Sequence, residues 1–205
     1  MNPLMNPLAL TRTVILAAVA VLGACSLPQA ARTPATTWDF GPLQAAAQPG
    51  AARLKGSLLV LNVDAPAWLD SSSMYYRLAY ADAAEPRAYA TSRWIASPPA
   101  LITERLRAAA AASGAVVLAP GDGIRAERTL RVELEEFTQV FDSASASRGV
   151  LHLRATLVGG GKLLGQRSFE VAVPAASADA RGAAAALALA SSQTVTQIIA
   201  WMAGL

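Results

Sequence analysis

LRVELEEFTQVF at residues 130–141, LHLRATLV at 151–158 and LLGQRSFEVAV at 163–173 decide the fold of this chain. In the first stretch Leu130, Val132 and Leu134 alternate with Arg131, Glu133 and Glu135. A strand turns successive side chains to opposite faces, so this alternation predicts a half-buried β-strand. The phase then slips, because Phe137 and Phe141 fall on the other parity. One extra residue near Glu135–Glu136, a β-bulge, accounts for the slip. Leu151, Leu153, Ala155 and Leu157 alternate with His152, Arg154 and Thr156, and Phe169, Val171 and Val173 repeat the pattern. Between these two strands lies Gly159-Gly160-Gly161-Lys162. No Ser or Thr and no helix follows the lysine, so the segment reads as a hairpin turn and not as a phosphate loop. Pro174 stops the last strand. The result is a meander of three long antiparallel strands.

Working outward, Asp179 is placed to cap a C-terminal helix in which Leu187, Ser191, Val195, Ile198 and Met202 recur at spacings of three and four. Ser191, Ser192, Gln193 and Thr194 interrupt its apolar run with groups that lipid would not satisfy, so it reads as a core helix and not a membrane span. Upstream, Ser57 to Asp64 predicts a buried strand, Ala65 to Asp70 a turn, Met74 to Tyr80 an aromatic strand, and Ala88 to Ile95 a short one. Ser97-Pro98-Pro99 leads into a helix from Pro99 to Ala112, with serine as the expected cap. Leu101, Ile102, Leu106 and Ala109 share one face of that helix, and Gly114 ends it. Ala115 to Ala119 is a brief strand, and Trp38-Asp39-Phe40 another, closed by Gly41-Pro42. The fold class is therefore α+β: a mixed, largely antiparallel sheet with a mid-chain helix and a C-terminal helix packed on one face.

The first residues carry a different message. Arg12 precedes Thr13 to Leu22, an uninterrupted apolar run of ten residues. A bilayer span needs roughly 20 residues, whereas a signal-peptide h-region needs about half that. Leu22-Gly23-Ala24-Cys25 resembles the bacterial lipobox. That resemblance implies cleavage before Cys25 and acylation of its sulfur and its new amine. Cys25 is the only cysteine in the 205 residues, so it has no disulfide partner within the chain. Thioether formation would remove a thiol that is otherwise a liability in an oxidising compartment. The next residue is Ser26 and not the aspartate of inner-membrane retention, which implies the outer membrane. The expected organisation is a signal peptide at 1–24, a lipidated N-terminus and flexible tether at 25–36, and a domain at 37–205. At ~3.3–3.6 Å per residue the tether reaches roughly 35–40 Å. The formal charge of +3 comes with no basic run, which argues against a nucleic-acid partner.

Catalytic chemistry has few candidates. The single histidine, His152, sits on the polar parity of its strand, and no Gly-x-Ser-x-Gly elbow exists for it to serve. One histidine and an acylated cysteine argue against a zinc site. Glu133, Glu135 and Glu136 read as a solvated face. The expectation is a protein that is not an enzyme and needs no cofactor or metal. Trp94 with Pro98 and Pro99 is the candidate partner-binding group; its alternative is a buried tryptophan stapling strand to helix.

Several of these segments also form a recognisable series. The strand Leu58–Val63 is followed by Ala65-Pro66-Ala67-Trp68-Leu69, then Tyr76-Arg77-Leu78, Tyr89, Arg93-Trp94, Ser97-Pro98-Pro99 and a helix carrying Leu101 and Leu106. Glu136-Phe137, Arg167-Ser168-Phe169 and an alanine-rich final helix with Trp201 continue it. The order, together with the lipobox, resembles the ABC-type transport auxiliary lipoprotein family, the PqiC-like proteins, over roughly residues 38–203. Ser71-Ser72-Ser73 departs from the more basic stretch found in many relatives. The resemblance implies an accessory subunit of a lipid-trafficking system built from an ABC ATPase, a permease and an MCE-family periplasmic protein. The subunit would dock at the outer-membrane end or stabilise the assembly, singly or as a homo-oligomer. A free-standing periplasmic lipid carrier is the alternative, and it would require a large apolar cavity.

Overall fold

A computed structural model describes residues 34–42 and 52–205. In chain order the elements are β1 (Thr36–Trp38), β2 (Ser57–Val60), β3 (Ser73–Leu78), β4 (Asp82–Trp94), α1 (Pro98–Ala112), β5 (Val116–Leu118), β6 (Arg128–Phe141), β7 (Ser147–Gly159), β8 (Lys162–Pro174) and α2 (Ala180–Ala203). Alternation at 130–173 becomes the antiparallel meander β6–β7–β8, paired along its whole length. The phase slip is a real bulge: Leu134 faces Leu153 and Glu136 faces His152, leaving Glu135 as the extra residue. Gly160 and Gly161 make the turn between β7 and β8 with φ of 56° and 76°. A two-residue turn of that kind needs the left-handed region twice, which glycine enters without a Cβ penalty.

Eight strands form one mixed sheet. Because β7 covers one side of β6 throughout, both other neighbours of β6 share its remaining side. β2 runs parallel to it at Arg128–Leu130, and β3 runs parallel to it at Gln139–Phe141. The sheet is thus forked. One arm continues from β2 to β5, the other from β3 to β4 and β1. Between the arms the chain touches β6 again at Asp64, whose N–H donates to Val132 O at 2.9 Å and whose carbonyl accepts from Leu134 N–H at 2.7 Å. The strand expected at Ser57–Asp64 is therefore shorter, ending at Val60, with one isolated bridge beyond it.

β4 differs most from expectation, extending over thirteen residues and mostly exposed. Its first half, Asp82-Ala-Ala-Glu-Pro-Arg, has no apolar alternation and pairs only with β3. Pro86 is tolerated because β1 reaches only Ser92–Trp94, leaving this part of β4 on an edge. The first strand also ends earlier than its aromatic residues suggested, at Trp38, while Phe40 folds into the core.

Both helices lie against the sheet. The buried residues of α2 include Leu187, Ser191, Val195, Ile198 and Met202, the set its spacing predicted. It is long and apolar enough to cross a membrane by composition, but just over half of that window is buried against the protein. At its start Asp179 accepts the Gly182 N–H at 2.8 Å and the Ser177 hydroxyl at 2.7 Å. These two bonds hold the Asp179 carboxyl below the usual carboxylate range. For α1 the cap differs from expectation. Ser97 occupies the cap position but its side chain makes no capping bond, and Pro98 and Pro99 simply present no N–H to satisfy. β7 and α2 approach closely at Gly149, where an added Cβ would lie 2.9 Å from Leu187 N.

Candidate interaction face

Three aromatic rings explain Trp94. Its ring stands 5.5 Å from both Phe40 and Phe137, edge-on to the first, and is 1% exposed. Pro98 and Pro99 are buried as well. Of the two readings of Trp94, Pro98 and Pro99, this burial fits the staple of strand to helix and not a partner contact. Trp94 closes β4 on the inward parity shared with Ser92, and desolvation by the core leaves no surface to offer. The same cluster ties down the start of the domain. The Arg105 guanidinium donates to Phe40 O at 2.7 Å, Gly41 O at 2.9 Å and Ser192 Oγ at 3.1 Å. Burial lowers the Arg105 pKa, partly offset by Asp39. The hydrogen bonds compensate a charge taken out of water.

Helices lie on one side of β6, β7 and β8; among the described residues no helix packs on the other side, where several charged side chains pair across strands. Glu133 pairs with Arg154 directly opposite it in register. The bulge turns Glu135 to the same region, where its carboxylate lies 3.5 Å from Arg154 and 3.2 Å from His152 Nδ1. Arg154 is consequently held above the ordinary guanidinium range, first by the Glu133 hydrogen bond and then by the charges of Glu133 and Glu135. The acidic triplet at 133–136 is a set of ion-pair partners. His152 belongs to the same ladder, with no hydroxyl bonded to it among the described residues.

Two further pairs span the fork. Arg77 on β3 donates to Glu136 on β6 at 3.4 Å, and the Thr138 hydroxyl donates to the same carboxylate oxygen. Arg131 on β6 approaches Asp64 at 3.5 Å. Arg77 also braces the irregular part of β4 through Ala83 O and Ala84 O, at 3.2 and 3.3 Å. Its guanidinium lies 5.7 Å from the Trp68 ring, which packs edge-on against Tyr75 at 5.3 Å. Asp64, Ala65, Pro66, Glu133, Leu134 and Glu135 line an open cleft of about 350 Å³ in the fork. A second open cleft, of about 270 Å³, lies between α1 and the chain around Asn62 and Asp70.

Sequence reasoning found the acidic triplet but missed Arg77, Arg154 and Trp68 as its companions. Parity placed Arg154 on the correct face. Its partner depends on register, which the turn at 142–146 and the bulge together determine. Cys25, the signal peptide and the tether before Pro34 lie outside the described residues.

Solved structures share this fold. A crystallised Xanthomonas campestris protein of family DUF330 superposes with a TM-score of 0.73 at 22% identity, covering 83% of this chain and 97% of that one. A second crystal structure, of an uncharacterized protein, gives 0.60 at 14% identity, with 82% and 97% covered. At such identities the likeness shows the fold. Comparison with curated proteins returns no match. The sequence itself goes further, since residues 39–199 match the family model of the ABC-type transport auxiliary lipoprotein component. The chain belongs to that family, a lipoprotein component associated with ABC-type transport.

Proposed function

We propose that the chain is the outer-membrane-anchored, periplasmic auxiliary lipoprotein of an MCE/ABC-type lipid transport system, acting without catalysis to help maintain the envelope. Membership of the family supports the transport association, and the lipobox ending at Cys25 with Ser26 after it supports the anchor and its membrane. The observation that carries the mode of action is the helix-free face. The charges of Glu133, Glu135, Glu136, Arg77, Arg131 and Arg154 are fixed in place there by cross-strand pairs and by bridges over the fork, which suits recognition of a complementary protein surface. Patterned charge confers specificity and encounter rate more than raw affinity, as expected of a subunit that registers a larger assembly.

The carrier alternative has less support. Among the described residues two clefts, of about 350 and 270 Å³, lie open to solvent. The space between sheet and helices is filled by Phe137, Leu151, Leu153, Phe169, Leu187 and Ile198, all 2% exposed or less.

A photo-crosslinker at Glu170, exposed on the free face opposite His152, tests the reading in cells. The expected adduct is an MCE or permease component, and deleting the gene should phenocopy deletion of that partner with no additive defect. Recovery of lipid bound to the purified protein, with no protein adduct, would favour the carrier. For the anchor, Cys25→Ser should abolish labelling by a clickable palmitate analogue; equal labelling of variant and wild type would remove lipidation from the account.

A further inference from the structure

One end of the sheet collects what the rest of the surface avoids. The β7–β8 turn, the start of β6 and the start of β2 meet there, since Gly159 faces both Lys162 and Arg128, and Arg128 faces Leu58. β5 begins at the same level, with Val116 opposite Ser57. Four strand spacings of ~4.8 Å make this end about 20 Å wide. Among the described residues, five of the eight large exposed apolar side chains lie on it or on the loop entering it: Val116, Ile124, Leu163, Leu164 and Leu205. Leu205 and Trp201, at the end of α2, close over Gly165: a Cβ there would lie 3.0 Å and 3.2 Å from them. Isolated exposed leucines are ordinary, but a gathered patch marks an interaction surface.

The charges around the patch are one-sided. Lys162 stands at the hairpin tip, Arg128 lies beside Gly159, and Arg53, Lys55 and Arg125 are exposed on the adjoining segments. Against these five cations stand the exposed Glu127 and Asp122, which leaves an excess of three positive charges. Apolar side chains with an indole among them, ringed by Lys and Arg, fit the boundary between acyl chains and anionic headgroups. Elsewhere the free face pairs its cations with carboxylates; here they are left in excess.

We propose that this end of the domain, formed by the β7–β8 turn with Leu163 and Leu164, the end of α2 and the basic residues beside them, seats on an anionic phospholipid surface. The proposal rests on the lipid-anchored reading above, because an acylated chain is never far from a bilayer. Contact at the tip would then hold the domain in one orientation and present the charged face sideways to a partner.

The test uses the acylated full-length protein carrying Leu163→Cys, whose thiol is free while that of Cys25 is bound to lipid. A solvatochromic dye on that thiol is read in vesicles of phosphatidylcholine with and without phosphatidylglycerol. The expected result is a blue shift and shielding from an aqueous quencher on the anionic vesicles. The shift should shrink without phosphatidylglycerol, in about 1 M salt where the Debye length falls to ~3 Å, and in the Lys55→Glu/Lys162→Glu background. A dye at Ala84→Cys reports the opposite end of the sheet, roughly 40 Å away at ~3.3 Å per residue of β6, and should remain unshifted. Flotation with the vesicles reads the anchor separately. Flotation without a shift at position 163 overturns the proposal alone, and a protein left in the aqueous fraction overturns the anchored reading and the proposal together. An equal shift in detergent-free buffer without vesicles would assign the patch to a second copy of the chain and overturn it too.

Discussion

The two faces of β6, β7 and β8 are written by alternate residues of the same three strands, yet they obey different rules. On the covered face Leu134, Leu153 and Phe169 lie in register under the helices, each 2% exposed or less. On the free face Glu133, Arg154 and Ser168 occupy the neighbouring register positions, and the first two are more than a third exposed. Packing energy depends on volume, so the covered face tolerates little change. Exposed ion pairs contribute little to folding, so the free face is open to selection for recognition. Stability and function should therefore separate cleanly between substitutions on the two faces.

The strongest way to break that division is on the covered side. Trp94→Ala removes a ring packed against Phe40 and Phe137 and should cost about 3–5 kcal/mol, the range for truncating a buried aromatic. Thermal and urea unfolding would show it as a lower midpoint. A midpoint near wild type, combined with loss of partner binding, would return Trp94 to the surface role that the structure denies it.

Gly149→Ala probes the closest approach of sheet and helix. The added Cβ would meet the α2 backbone at Leu187 N, 2.9 Å away, and Ala186 Cβ, 3.0 Å away. Neither atom is the free end of a flexible side chain, so α2 must shift, at about 1–3 kcal/mol for overpacking. Urea unfolding should show the lower midpoint with an unchanged slope. A stabilised variant would mean that α2 sits farther from β7 than described.

Asp179→Ala tests the cap that starts α2 on its path, with an expected loss of about 1 kcal/mol at neutral pH. The folded carboxyl is held below its ordinary value of 3.8 by Gly182 and Ser177. Its contribution is thus present above that value and lost as pH falls through the lower folded value. The stability difference between Asp179→Asn and wild type should accordingly close in acid. A difference that grew in acid would reverse the sign of the shift.

How much of this was legible in the sequence follows from what each feature depends on. Parity alone separates the two faces, and the slip from Leu134 to Phe137 announces the bulge. The Asp179 cap and the α2 stripe are local signals that hold in three dimensions. Trp94 was left between two readings, because an aromatic beside Pro98-Pro99 looks the same in sequence whether it faces solvent or Phe137. The fork was not legible: each arm joins β6 through three parallel residue pairs, and short parallel pairings leave no periodic trace. The first half of β4 was missed because its strand conformation comes from pairing with β3 and not from burial. Ion pairs on the free face needed register as well as parity, so the acidic triplet was visible while Arg77 and Arg154 were not.

The smallest effect on stability should be the largest on assembly. Arg154→Gln keeps the length of the side chain and removes the charge that bridges Glu133 and Glu135. Its partners stand in water, with side chains 39% and 35% exposed, so the midpoint of unfolding should hardly move. What changes is the sign pattern of the free face, because two carboxylates beside the bulge lose their common cation. If a partner reads that pattern, co-purification should fall and its salt dependence should change. Exchanging the charges as Glu133→Arg/Arg154→Glu is the sharper variant. It keeps one ion pair across β6 and β7, so stability should stay close to wild type, while the surface presents its charges in reversed places. Binding lost in the exchanged protein identifies the pattern as what the partner recognises. Binding retained would mean that the pair only staples two strands, and the docking surface would have to be sought elsewhere on the domain.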